Sequence, residues 1–544
     1  MPDSSLPPSS HPTAASRGLA AAAILMIVAT MGSRVTGLIR TMVYSRVFGL
    51  TPEYSVFVQA FRIPDLVLFL MAGGALRTGF VPIFSEYLAH GKREQAWRVF
   101  SIVLWVLVAF GVLLVGTGMI FAPALARLVA PGFTDEQVAQ CARMMRVLFP
   151  AELFFVVGGL LQGALNANKH FLWPGIGPII YNFFLIAAGL AAPYLWGLDT
   201  VTYAVVLGAI VGNVGVQIPP LRKLGARLEF VFDIHDEGVR RVIKLALPVI
   251  AGLAVAEIVW VVITALATKV DPIQGAAIME NANRLWKLPS GIFGAGVAIA
   301  LFPSLTEKYA LGDVSGYRRD FSFGIRNTVF LTLPAVLVIG IMRVPIVRLL
   351  LEGGKFGPED TLAVGSVLLW LTPGMLALAI VYILTRAFYA RHEALTPVIA
   401  GISSFVACLI AAFALMPLGL NGLAMATSLS GVANVVVLMI LLKKRVGPLD
   451  GRHIVASFVR SLPSNLFLAA ACGLLPALVV QFVGTGGLGK LLSVVLPLGI
   501  GLTGFLVLSS VFKVDELQSA WALMRRKGRQ RKPEEPSPEE ADET

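Results

Sequence analysis

Met31-Gly32-Ser33-Arg34-Val35-Thr36-Gly37-Leu38-Ile39-Arg40 follows an apolar run from Leu19 to Thr30 and leads into Met42 to Phe48. The whole makes roughly 25 residues, enough to cross a bilayer as a helix. Two arginines sit in its second half. At hydrocarbon depth an arginine is costly unless it meets a cavity or a partner. Gly32 and Gly37 give the same helix places to bend. Two readings follow. Either the arginines line a polar cavity inside a membrane bundle, or the helix ends near Gly32 and both side chains snorkel at the interface.

Composition places this stretch in a polytopic membrane protein. Hydrophobic residues make up 56% of the chain and charged residues 14%. Mean hydropathy is +0.79, far above soluble domains. The formal net charge of +12 collects in short loops and in the C-terminal tail, so it is no nucleic-acid footprint. Cys141, Cys408 and Cys472 lie far apart in apolar segments and read as small core residues. The histidines show no metal-ligand spacing.

Outward from the first helix, about fourteen apolar spans follow. They fall at 19–42, 52–73, 97–121, 138–165, 173–194, 200–219, 241–268, 276–304, 323–342, 362–388, 395–416, 420–442, 455–482 and 488–512. Residues 1–18, rich in Pro and Ser, are expected to be disordered, and the run after Arg17 is read as a retained first helix. Positive charge marks the loops after even-numbered spans: Lys92 and Arg93, Lys169, Arg222 and Lys223, Lys308, Arg318 and Arg319, Arg391, and Lys443 to Arg445. The positive-inside rule then puts both termini in the cytoplasm. The basic cluster Arg525, Arg526, Lys527, Arg529, Arg531 and Lys532 agrees, as an anchor or a contact for anionic headgroups.

The chain repeats itself. Phe80-Val81-Pro82-Ile83-Phe84-Ser85-Glu86-Tyr87 returns as Leu301-Phe302-Pro303-Ser304-Leu305-Thr306-Glu307-Lys308. Pro150 through Pro174 matches Pro373 through Pro397, and Pro123 with Gly132-Phe133 matches Pro345 with Lys355-Phe356. The offset is about 222 residues, which here equals six spans. An even number of spans keeps the copies parallel, and transporters of that plan bind substrate between their halves. The expected fold is an all-α polytopic membrane protein with two six-helix repeats and two extra C-terminal helices. Its expected divisions are 1–18, a disordered terminus; 19–225, the N-lobe; 226–445, the C-lobe; 446–514, helices thirteen and fourteen; and 515–544, a charged cytoplasmic tail.

Polar residues inside the spans mark the candidate site. They are Arg34 and Arg40 on the first span, Arg62 and Asp65 around Pro64 on the second, Glu257 on the seventh, and Glu280, Arg284 and Lys287 on the eighth. Glu280 and Arg284 stand at i,i+4 and can pair. The first span supplies no acid, so Arg34 and Arg40 need another helix or an anionic ligand. They lie about 120° apart on an ideal helix, so one cavity holds both only if it is wide or the helix bends.

These residues resemble the MurJ/MviN lipid II flippases. The resemblance rests on Ser33-Arg34-Val35-Thr36-Gly37 with Arg40, Phe48-Gly49, Ala60-Phe61-Arg62-Ile63-Pro64-Asp65, Gly74-Ala75 and Phe80-Val81-Pro82-Ile83 with Glu86-Tyr87. It continues through Ala130-Pro131-Gly132-Phe133, Asn283-Arg284-Leu285, Leu288-Pro289-Ser290-Gly291, Gly354-Lys355-Phe356 and Phe388-Tyr389-Ala390-Arg391 with Thr396-Pro397. It spans most of residues 20–445, in order.

The resemblance implies the multidrug/oligosaccharidyl-lipid/polysaccharide exporter fold. It also implies alternating-access flipping of lipid-linked peptidoglycan precursor, lipid II, across a bacterial inner membrane, with no cofactor. At matching positions, Arg34, Arg40 and Arg284 would bind the pyrophosphate and headgroup. Arg62, Asp65, Glu280 and Lys287 would support them, and Glu257 is a candidate for ion coupling. Helices thirteen and fourteen would form a groove for the polyprenyl tail. The sequence departs from the pattern at Leu68, where the family has an arginine, and at Thr41, Gly73 and Lys287, where it often has acids; Arg62, Arg77 and Lys287 are candidate substitutes.

Membrane lipids and cell-wall synthesis proteins are the other implied partners. Two further readings stay open: a flippase for another polyprenyl-linked glycan, and a transport-inactive scaffold for cell-wall enzymes. No hydrolase elbow, metal cluster or nucleotide loop points to an enzyme.

Overall fold

The computed structural model describes residues 14–74 and 79–518. Among them the secondary structure is helical, apart from one isolated antiparallel bridge between Gly353 and Phe356. Helix is what the bilayer demands, because it satisfies every backbone N–H and C=O within one segment.

The chain divides into two compact units. One holds the residues up to Asn281 together with Leu350–Val364 and Gly401–Leu423. The other holds Ala282–Leu349, Gly365–Ala400 and the chain from Ala424 onward. Helices α1 (Ala14–Phe48), α2 (Pro52–Ala60), α3 (Arg62–Leu68), α4 (Val81–Ala89), α5 (Arg93–Ile120) and α6 (Ala122–Val129) open the first unit. It continues through α7 (Asp135–Ala167), α8 (Leu172–Ala191), α9 (Leu198–Gly208), α10 (Ile218–Lys223) and α11 (Glu237–Val270). After these come α12 (Gly275–Ala310), α13 (Val314–Ile341), α14 (Arg343–Leu350), α15 (Pro358–Ala390), α16 (Leu395–Leu415), α17 (Gly419–Val446), α18 (Gly451–Val483) and α19 (Gly487–Val511).

Every one of the fourteen expected spans is occupied by helix. By length and apolarity, ten helical stretches among the described residues qualify to cross a membrane, or eleven if the bent pair Gly275–Lys287 and Gly291–Ala310 is one span. The expected fourteen is not reached by that count. One cause is a merger: the 52 residues Leu395–Val446 count once, although they carry both α16 and α17. The bend in the pair is 42° and falls at Pro289, which cannot donate to the helical ladder. The second expected span is also broken. Pro64 has no N–H for the Ala60 carbonyl, so α2 stops at Ala60 and α3 restarts at Arg62. A π-helical turn, Phe69–Gly74, follows directly.

Each unit has its own core, and matching repeat positions build both. In the first, Phe80, Phe84, Trp97, Phe100, Leu160 and Ala164 pack together. In the second, Leu301, Leu305, Tyr317, Phe321, Ile383 and Ala387 do so. In the second unit, α18 and α19 pair along their lengths and α18 lies against α13. Phe330, Leu468, Cys472 and Phe505 fill that junction.

The repeat also sets two docking contacts. Gly49 closes α1 with φ +63°, its N–H reaching the Ser45 carbonyl at 2.8 Å, as a left-handed C-cap does. The turn at Gly353–Phe356 then seats on this end: the Lys355 N–H donates to the Arg46 carbonyl at 2.8 Å. Gly354 has φ +56°, and a Cβ there would run into that same carbonyl. At the other copy, the Gly132 N–H donates to Thr268 Oγ1 of α11 at 3.2 Å, and a Cβ on Gly132 would strike the Thr268 carbonyl. Gly354 lies 222 residues after Gly132, and Thr268 lies 222 after Arg46 (354 − 132 = 268 − 46). Each copy's loop therefore docks on the first helix of the other copy.

Candidate functional site

One face of α1 is committed to α8. Asn182 Nδ2 donates to the Ser33 carbonyl at 3.2 Å and to Thr36 Oγ1 at 3.1 Å. Gly32 and Gly37 belong to this contact: a Cβ at Gly32 would come within 3.1 Å of Ile179 Cδ1, and one at Gly37 within 3.7 Å of Asn182 Nδ2. The sequence reading gave both glycines to bending and, in one version, ended the helix near Gly32. The structure uses them for close approach, and the helix runs on to Phe48.

Arg34 is exposed on α1 and Arg40 is half-buried. Neither makes an ion pair among the described residues. Arg40 Nε is buried without a hydrogen-bond partner among them. A buried guanidinium nitrogen left unpaired is costly and calls for an acceptor.

Arg62 is placed differently. It is only 8% exposed. Its Nη2 donates to Glu280 Oε2 at 2.8 Å, and its Nε donates to Gln59 Oε1 at 3.2 Å. The guanidinium also lies 5.8 Å from the centre of the Trp260 ring. Gln59 in turn donates to the Val129 carbonyl at 2.8 Å and the Thr264 carbonyl at 3.0 Å. One polar cluster thus ties α2, α3, α6 and α11 to the start of α12.

Sequence spacing assigned Glu280 to Arg284, and the structure gives it Arg62. A signal for this was present. Arg284 stands 222 residues after Arg62, and Ala282 stands 222 after Ala60; both arginines are copies of one position. Arg284 is half-buried and Lys287 exposed, and both are engaged by neighbouring groups. Arg34, Arg40, Arg62, Asp65, Glu257 and Glu280 belong to the first unit, and Arg284 and Lys287 belong to the second.

The acids separate by environment. Asp65 is exposed on α3 and Glu257 is half-buried on α11. Sequence reasoning missed Glu152 on α7, which is 2% exposed with Oε2 lacking any hydrogen-bond partner among the described residues. Leu68, where the resemblance led to an expected arginine, is half-buried at the end of α3. Arg77, the basic cluster Arg525 to Lys532 and residues 1–13 lie outside the described residues.

Beyond the spans, Arg241 makes a two-bond contact to Glu86 on α4, at 3.1 and 2.6 Å. That hydrogen-bonded guanidinium holds the Glu86 carboxyl below the usual carboxylate range. The Asp313 carboxyl, which caps α13, is held low by the Gly316 N–H first and the Ser315 hydroxyl next.

Comparison with known proteins follows this geometry. The family model described as "Lipid II flippase MurJ" matches residues 44–496. The "Probable lipid II flippase MurJ" of Rhizobium meliloti is 30% identical over 422 residues, covering 75% of this chain and 78% of the relative. The "Lipid II flippase MurJ" of Burkholderia cenocepacia is 30% identical over 473 residues, covering 84% and 89%. Among solved structures, "Lipid II flippase MurJ, inward closed conformation" superposes with a TM-score of 0.74 at 21% identity, over 90% of this chain and 99% of that one. An inward-facing multidrug resistance MATE family transporter of the MOP superfamily superposes with a TM-score of 0.67 at 18% identity, over 79% of this chain and 99% of that one.

Proposed function

The chain belongs to the MurJ lipid II flippase family, and from that premise we propose that it moves undecaprenyl-pyrophosphate-linked peptidoglycan precursor, lipid II, across a bacterial inner membrane by alternating access. It is a multi-pass transporter of cell-wall synthesis and not an enzyme. Both termini lie in the cytoplasm, by the loop charges. The lobes are the N-lobe at 19–225 and the C-lobe at 226–445, with helices thirteen and fourteen beside them. Cell-wall synthesis proteins are its partners.

One observation carries the substrate reading. α1 bears Arg34, exposed and without an ion pair, and Arg40, whose Nε is buried and unsatisfied, both among the described residues. Cations at membrane depth must face water or an anion. A diphosphate suits them, because guanidinium meets phosphate oxygens through paired, charge-assisted bonds. Arg34, Arg40 and Arg284 are the substrate-binding residues in this reading, with Asp65 and Lys287 in support. The Arg62–Glu280 pair fixes the start of α12 ahead of Arg284. Glu257 is the candidate for coupling an ion to helix motion.

Complementation of a lipid II flippase depletion strain tests the proposal. Rescue by the parent chain and failure of Arg34→Ala at equal expression support it. No rescue, with flipping of another polyprenyl-linked glycan in vesicles, would give that glycan as the substrate.

A further inference from the structure

We propose that Glu152 and Asp65 form a proton-binding site, in which a buried and an exposed carboxyl share one proton across the contact between α3 and α7. Four observations lead there. Glu152 sits mid-way along α7, 2% exposed, with Oε2 unpartnered among the described residues. α3 packs on α7, and Asp65 is the charged group whose field acts on Glu152. Arg62, the other charged residue of α3, already serves Gln59 and Glu280. Arg143 and Arg146 lie about two turns or more before Glu152 on α7 itself, and Arg146 donates to the Met119 carbonyl at 3.2 Å.

The other helices packed on α7 carry their charges near their ends: Glu53 on α2, Glu86 on α4, Arg93, Glu94 and Arg98 on α5, Arg127 on α6, Asp199 on α9, and Arg222 and Lys223 on α10.

The repeat supplies an independent comparison. In the segment matched from Pro150 to Pro373, an offset of 223, Glu152 corresponds to Met375 (152 + 223 = 375). Met375 is fully buried. The fold fills this position with an apolar side chain in one copy, so packing alone does not require a carboxyl in the other.

A carboxylate without a cation at membrane depth is expensive, and two facing carboxylates are worse; one proton removes the conflict. The proton adds to a carboxylate oxygen of Glu152 and leaves by way of Asp65, whose exposure gives it access to water. Its departure leaves two anions across the α3–α7 contact. α3 is seven residues long and runs directly into the π-helical turn Phe69–Gly74, an element suited to taking up a displacement. Arg62 rides on the same short helix, so proton occupancy biases the Arg62–Glu280 tie. The site does not depend on which lipid is moved.

Infrared difference spectroscopy of the full chain in lipid nanodiscs tests this without transport. The parent should show a protonated-carboxyl C=O band at neutral pH that shifts in D2O. Glu152→Gln should abolish it. Glu152→Met, which copies Met375, should abolish it too and guards against misfolding of the first variant. Asp65→Asn should move the pH at which the band disappears by about one unit. A band that persists in both Glu152 variants, or is absent from the parent at neutral pH, would overturn the proposal. So would loss of the parent band on adding sodium at fixed pH, which would make the pair a metal-cation site.

Discussion

Gly354 sits against the carbonyl of Arg46, while 222 residues earlier in both partners Gly132 sits against the carbonyl of Thr268. A duplicated chain has exchanged the same contact twice. The backbone approach is close enough that only glycine fits, and Gly354 also needs its positive φ. Gly354→Ala should therefore lower stability by about 1–2 kcal/mol from the left-handed backbone alone, with the steric clash adding to it. Thermal unfolding of the purified protein in detergent measures this, and an unchanged midpoint would refute it.

The same contact has a functional consequence if the termini are cytoplasmic, as proposed. The ends of α1 and α11 then face outward, and alternating access must part these docked loops. Arg46→Cys with Lys355→Cys, oxidised to a disulfide, should stop flipping in vesicles, and reduction should restore it. Full activity in the cross-linked state would show that the loops stay together through the cycle.

The Arg62–Glu280 pair, 2.8 Å apart with side chains 9% and 14% exposed, should behave as a buried ion pair. Removing one partner strands the other's charge. Arg62→Ala or Glu280→Ala alone should cost about 3–5 kcal/mol. Arg62→Met with Glu280→Leu should cost much less than the sum of the single changes. Additive losses in a double-mutant cycle would argue against coupling.

Binding should separate Arg34 and Arg40 from Arg62. Arg34→Ala and Arg40→Ala should weaken binding of a lipid-linked diphosphate by about ten- to a hundredfold, on the order of 1.5–3 kcal/mol, with the fold intact. Arg→Lys should recover part of this, because an ammonium cannot form the planar two-bond contact. Equal affinity in all variants, measured on the purified chain, would move the substrate site elsewhere.

Acid should remove one surface tie. The folded-state pKa of Glu86 lies below its ordinary value of 4.5 because of Arg241. A lowered carboxyl stabilises the fold above that ordinary value, and the contribution is lost as pH falls through the folded one. Parent and Glu86→Gln should therefore differ in thermal midpoint at neutral pH and converge as pH drops below the carboxylate range. High salt should shrink the neutral-pH difference as well, since both side chains are nearly half exposed. A difference that grows on acidification would contradict this.

The sequence by itself determined the helical class, the positions of the spans, the duplication and the family. Those signals are local or periodic: a bilayer-spanning helix satisfies its own backbone, and a repeat survives as matching residues at one offset. The cations of the first helix were legible for the same reason, because a charge inside an apolar run is visible without a partner. Tertiary structure decided who meets whom. Arg62 and Glu280 are 218 residues apart, and only packing brings their side chains within a hydrogen bond. Spacing along α12 could propose Arg284 for Glu280 but could not see across to α3. Gly32 and Gly37 read as bend points until α8 was found lying on them. Glu152 passed unnoticed within a long apolar span because its burial, its unsatisfied oxygen and the nearness of Asp65 are properties of neighbouring helices. Hydropathy reports how a residue partitions; it carries no record of which side chain the folded chain sets beside it.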